Sequence, residues 1–191
     1  MNAAAISRGM QAEVLVLDNT IERLRQADRI YQGHLQTVAS NAYEIEKACL
    51  DADLVIGAVL VVGAKAPKLV RDDLVARMKA GAVLVDIAID QGGCFEASKP
   101  TTHDAPTYRV HDTIFYCVAN MPGAVPHTST YALTNVTLPY AIAIAGQGWR
   151  DACRDDPALA LGLNVHDGQV TSAPVAAAHG MEITTLADVL A

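Results

Sequence analysis

The chain has 191 residues, of which 51% are hydrophobic and 18% charged, with a formal net charge of −7. That much apolar material supports one full domain with a short piece of a second and excludes a disordered chain. The acidic balance disfavours nucleic acid and anionic membrane surfaces, because both repel it. No signal-peptide pattern opens the sequence, and its longest uncharged apolar run, Leu54 to Ala64, is too short to span a bilayer. A cytoplasmic location is therefore expected. Cys49, Cys94, Cys117 and Cys153 show no paired spacing and the histidines are scattered, so free thiols and no metal site are expected.

A small-residue helix is predicted over Asn2 to Arg8, stopped by Gly9. Glu13 to Leu17 reads as a strand closed by Asp18. Ile21, Leu24, Ile30 and Tyr31 recur at helical spacing, and Gly33 ends that helix. Leu35 to Val38 is a short strand, and Asn41 with Glu44 is a capping box opening the next helix. Leu54 to Leu60 and Ala82 to Ile89 are nearly continuous apolar runs. Such runs mark strands covered on both faces, as in a parallel sheet under helices. A helix over Asp72 to Met78 separates them, and Thr113 to Val118 is a further strand. This alternation gives an α/β doubly wound, Rossmann-like parallel sheet. After Asn120 the pattern turns helical, from about Ser129 to Ala145, with Asp156-Pro157 and Pro174 opening shorter helices and Asp167-Gly168 a turn. Residues 1–125 are expected to form the sheet domain and 126–191 a helical tail too small to stand alone.

In such a sheet, ligands lie beyond the carboxyl ends of the strands. Asp18 stands at one such exit, where a carboxylate can accept hydrogen bonds from the ribose hydroxyls of NAD and repel the 2′-phosphate of NADP. It also suits the start of a turn. The strand from Leu54 exits near Val59 and Leu60 and runs into Gly63. Another exit is Asp90-Gln91-Gly92-Gly93, whose glycines allow close backbone approach and leave Asp90 projecting as an acid/base candidate. The last exit is Asn120-Met121-Pro122. Asp86, inside its strand, reads as structural, with a backbone or helix-cap role. Lys65 and Lys68 read as solvated loop lysines, and His111-Asp112 is not a dyad if both lie on a strand. No GxGxxG precedes Asp18, where the motif is expected about 20 residues upstream. The glycine-rich loop and first strand are thus expected before Met1, in a missing N-terminal half.

Three stretches resemble alanine dehydrogenase: DLVIGAVLVVGAKAPKLV (Asp53 to Val70), VLVDIAIDQGGCFE (Val83 to Glu96) and HDTIFYCVANMPGAVPHTSTYALTN (His111 to Asn135). The resemblance runs along essentially the whole chain. It implies that Asp18 and Arg23 meet the adenosine side of NAD with Ser40 nearby, and that Val59 and Leu60 offer backbone and apolar contacts. It places Ile87, Ala88, Ile89, Asp90, Val118, Ala119, Asn120 and Met121 along the nicotinamide end, with Asp90 as the acid/base group. Lys99 falls where the family can carry an arginine, and His127 where a lysine or arginine is common. The implied reaction is reversible oxidative deamination of L-alanine to pyruvate with NAD, in a homo-oligomer. The substrate domain would precede this half and be completed by residues 126–191, leaving this chain inactive alone. The transhydrogenase NAD(H)-binding module shares a QGG turn but is less similar at CFE and NMPGAVP. A non-catalytic module of that type, or a degenerate remnant, is the alternative.

Overall fold

A computed structural model describes residues 1–61 and 65–191. Gly63, expected in the turn after the third strand, lies outside the described residues. Helix α1 (Asn2–Gly9) precedes strand β1 (Leu15–Asp18). Helix α2 (Ile21–Tyr31) follows and ends in a left-handed Gln32, one residue before the expected Gly33. Strand β2 (Gln36–Ala39) pairs with β1 in parallel. The Asn41 side chain caps helix α3 (Ala42–Asp51) by accepting from the Glu44 amide, as the capping signature required.

Strand β3 (Leu54–Gly57) stops short of Leu60, and at Gly57 the chain passes close to a packed neighbour. A Cβ there would stand 2.2 Å from the Cys94 sulfur and 2.8 Å from the Phe95 ring. The helix expected over Asp72 to Met78 regularises only as α4 (Asp72–Val75). Strand β4 (Val83–Asp86) ends at Asp86 rather than Ile89, since the Asp86 carboxylate turns the chain by accepting the Ala88 amide. A hairpin, β5 (Thr107–Val110) and β6 (Thr113–Tyr116), completes this region. His111 and Asp112 form the hairpin turn rather than strand positions, and His111 pairs with Asp72 at 3.1 Å.

The four-stranded sheet has the order β3-β4-β6-β5, parallel except for the β5 edge. β1 and β2 form a separate two-stranded sheet, and among the described residues no strand pairs with the outer edge of β3 or the free edge of β1. The core sits on the four-stranded sheet. Leu84, Phe115, Cys94 and Cys117 are fully buried, with Val70, Leu74, Val75 and Cys49 from the covering segments. Phe95 and Phe115 meet edge to face at 6.0 Å.

Past Asn120 a short 3-10 turn leads into α5 (Pro126–Gln147), longer than expected, with Pro139 inside it. Pro126 starts it without loss because the first helical position needs no amide donor. Then come α6 (Trp149–Asp155), α7 (Pro157–Ala160) capped by Asp156, and the β7 (Val165–His166) and β8 (Gln169–Val170) hairpin turning at Asp167-Gly168. Helix α8 (Ala173–His179) ends at a left-handed Gly180, and α9 (Leu186–Leu190) closes the chain. Helices α6 and α9 were not expected; they are short and carry little periodic signal.

Candidate functional site

The parallel strands end in polar or turning residues, and each end is fixed by identifiable bonds. At the end of β1, the Asp18 carboxylate accepts the Thr20 amide at 2.7 Å through one oxygen. Its other oxygen faces the Arg23 guanidinium at 3.7 Å. The Asp18 carbonyl accepts the Ser40 amide at 2.9 Å, so Asp18, Arg23 and Ser40 form one cluster. Asp18 therefore starts a turn and still presents a half-buried carboxylate at the strand exit.

The end of β4 is built around Asp86, which is fully buried. Its carboxylate accepts the amides of Ala88 at 3.0 Å, Cys94 at 2.8 Å and Phe95 at 3.3 Å, and the Ser98 hydroxyl at 2.5 Å. A buried carboxylate requires such compensation. Between these anchors, Ile89–Gln91 is a single 3-10 turn, so Asp90 sits beyond the strand, not at its tip. Gly92 and Gly93 take φ of +88° and +74°, and a Cβ on Gly93 would stand 2.6 Å from the Asp86 oxygen. Asp90 itself is exposed, and among the described residues its carboxylate bonds no other group. Ile87 is half exposed beside it, while Ala88 and Ile89 are buried.

Lys68 is exposed, as expected of a loop lysine, but its ammonium is engaged. Its ammonium donates to the carbonyls of Gly92 at 2.6 Å, Gly93 at 2.9 Å and Phe95 at 3.0 Å. The stretch from Ala88 to Phe95, which carries Asp90, is thus anchored on both flanks of the Ile89–Gln91 turn, by amides on Asp86 and by carbonyls on Lys68. Burial, with help from Asp86, pushes the Cys94 thiol up to about 12. Burial raises the Tyr108 hydroxyl as well, and that hydroxyl donates to the Ala97 carbonyl.

The third exit, Val118 to Met121, is held by Thr101, whose amide donates to the Cys117 carbonyl and whose carbonyl accepts the Ala119 amide. Asn120 adopts a left-handed conformation and its carbonyl meets the His103 ring at 3.1 Å. Lys99 lies elsewhere in character: its ammonium sits 4.4 Å over the Tyr108 ring, a cation–π contact on the hairpin side. Val59 is half-buried and Leu60 exposed on the loop after β3.

Residues 1–173 match the family model described as alanine dehydrogenase/PNT, C-terminal domain. The chain belongs to this family. Alanine dehydrogenase of Mycobacterium tuberculosis is 63% identical over 190 residues, covering 100% of this chain and 51% of that protein. Alanine dehydrogenase of Geobacillus stearothermophilus is 53% identical, again covering 51% of its length. The chain therefore spans about half the length of the curated relatives it matches. A solved L-alanine dehydrogenase superposes with a TM-score of 0.80 at 44% identity, covering 99% of this chain and 50% of that one. A transhydrogenase from Sinorhizobium meliloti matches at a TM-score of 0.58 and 24% identity over 68% of this chain, a likeness of fold alone.

Within this alanine dehydrogenase/PNT fold, the structure gathers Asp18, Arg23 and Ser40 at one strand end and Ile87 to Asp90 on a clamped turn at another. Lys68 was missed by sequence reasoning, since a lysine in a loop has no periodic signal. Among the described residues no helix is long and apolar enough to cross a membrane.

Proposed function

We propose that this chain is the NAD-binding half of an L-alanine dehydrogenase. The reaction converts L-alanine, NAD⁺ and water to pyruvate, ammonium, NADH and a proton. The observation that supports it most directly is Asp90: an exposed, unbonded carboxylate on a rigid turn beyond the carboxyl end of β4, where an acid/base group must face its substrate.

The donor set suits NAD. Asp18 keeps one carboxylate oxygen free of backbone bonds, able to accept hydrogen bonds from the ribose hydroxyls, and its charge opposes a 2′-phosphate, an opposition that the exposed Arg23 beside it reduces. Ser40 lies next to this pair. Val59 and Leu60 supply apolar and backbone surface from the β3 loop, and Ile87, Ala88, Ile89 and Val118 to Met121 line the nicotinamide end. Lys99, engaged on Tyr108, adds a cation at the margin. NAD, when bound, supplies the hydride acceptor. Asp90 takes a proton at its carboxylate as the amino group is lost and returns it in the reverse direction.

The substrate's carboxylate clamp would come from the half that precedes this chain, with residues 126–191 completing that domain. α5 supports this: Tyr131, Leu133, Val136, Leu138 and Ile142 are all exposed, and apolar surface of that extent needs cover, from the preceding half and from other subunits. A full-length Asp90→Asn enzyme tests the proposal. Its NAD affinity should stay near normal while kcat falls about 100-fold, the usual scale for a positioned acid/base group. A kcat within twofold of wild type would remove Asp90 from the chemistry. A full-length protein that binds NADH but never oxidises alanine would favour the non-catalytic module.

A further inference from the structure

We propose that Lys68 is a positioning residue that holds the Asp90 turn in register with the loop leaving β3, and so sets the rate of the proton transfer proposed for Asp90. An ammonium has three donors and no acceptor. All three of Lys68 are spent on one turn, on the carbonyls of Gly92, Gly93 and Phe95. The left-handed φ of Gly92 and Gly93 bends the backbone so that these carbonyls converge on one point. In the same stretch, Asp86 collects the amides of Cys94 and Phe95. A buried anion and a cation thus grip the two kinds of backbone group separately.

Lys68 does not act on the turn alone. It belongs to the segment that follows the β3 loop, and this segment is sewn to the same turn at further points. The Ala66 amide donates to the Gln91 carbonyl at 3.1 Å, the Leu69 amide to the Cys94 carbonyl at 2.7 Å, and the Val61 amide to the Gln91 side chain at 3.4 Å. Val61, Ala66, Lys68 and Leu69 therefore all bond the stretch from Gln91 to Phe95, with the Lys68 ammonium as the most concentrated of these links. A displacement of about 1 Å at a reacting group can cost 100-fold in rate. Loosening this link moves Asp90 without removing any group that touches cofactor or substrate.

The test is Lys68→Met in the full-length protein, alone and combined with Asp90→Asn. Methionine keeps most of the stem and loses the three donors. The expected result is a kcat reduced about tenfold or more with KM for NAD changed less than threefold, and faster hydrogen exchange in the peptide covering Gly92 to Phe95, whose amides are all bonded. In the Asp90→Asn background Lys68→Met should add less than twofold, because the two act through one step. Unchanged kcat and unchanged exchange would overturn the proposal, as would equal losses in both backgrounds, which place the action of Lys68 elsewhere. If Asp90→Asn alone is fully active, the reading of Asp90 fails, whereas the exchange measurement still reports on the clamp. Should Lys68→Met not fold, Lys68→Arg serves: its planar fork cannot converge on three carbonyls, and full kcat and normal exchange in that variant would count against the clamp.

Discussion

The four-stranded sheet and helix α5 are both strongly apolar in sequence, yet the structure treats them in opposite ways. Leu84 in β4 is 0% exposed, whereas Leu133 in α5 is 62% exposed. The sheet brings its own cover, because Cys49 from α3 and Leu74, Val75 and Met78 from the segment between β3 and β4 pack into one cluster with Leu84 and Phe115. α5 has no such return: it has no buried residue along its whole length. A helix apolar all round belongs inside something larger. The contrast teaches that apolar sequence alone does not bury a helix: the sheet is packed within this chain, whereas α5 is left uncovered by the described residues.

Phe115→Ala should break the packed sheet most severely. Phe115 is fully buried between Phe95 and Tyr108, and its loss should cost about 3–5 kcal/mol, read as a shift in the urea midpoint of this chain. A shift under about 1 kcal/mol would mean that the sheet is not where the core lies.

A gentler probe of the same region is alkaline pH. Burial raises the Cys49 thiol from 9.0 to about 11, and burial with Asp86 raises Cys94 to about 12. A folded-state pKa above the unfolded one gives stability that is complete below pH 9 and is lost as pH rises through 11 to 12. Melting temperature should therefore be flat up to about pH 9 and fall beyond it, and Cys49→Ala should flatten that fall. Neither thiol should react with an alkylating reagent at pH 8 until the chain unfolds.

Leu133→Ala should have the smallest effect, and its dependence on context sharpens the comparison. In this chain alone the substitution should change stability by no more than about 0.5 kcal/mol. In the full-length protein, where cover is proposed, it should cost about 2–5 kcal/mol, measured by denaturation of both forms. Equal effects in both would mean that α5 stays exposed.

The candidate site was unevenly legible. Asp18 was legible from its place at a strand end, whereas Arg23 and Ser40 came only from the family resemblance; the structure brings the three together through a local ion pair and the Ser40 amide. Asp90 was legible as a residue but not in its setting: the apolar run through Ile89 hid the end of β4, which Asp86 imposes by drawing back the amides of Ala88, Cys94 and Phe95 with the Cys94 thiol and the Ser98 hydroxyl. Lys99 and Lys68 look alike in sequence, and neither setting could be read there. Lys99 lies over a ring, and Lys68 grips a backbone.

The sequence by itself determined the element order and the parallel α/β class, because continuous apolar strands require cover on both faces and glycines and capping residues mark where helices stop and start. It also determined that the last third departs from this pattern. Only the tertiary structure decided where strands end and what fixes the Asp90 turn. Lys68 meets carbonyls 24, 25 and 27 residues further along the chain. Bonds across such separations depend on how two loops return to one strand edge. No local pattern encodes that return, because the packing of Gly57, Cys94 and Phe95 sets the distance between them.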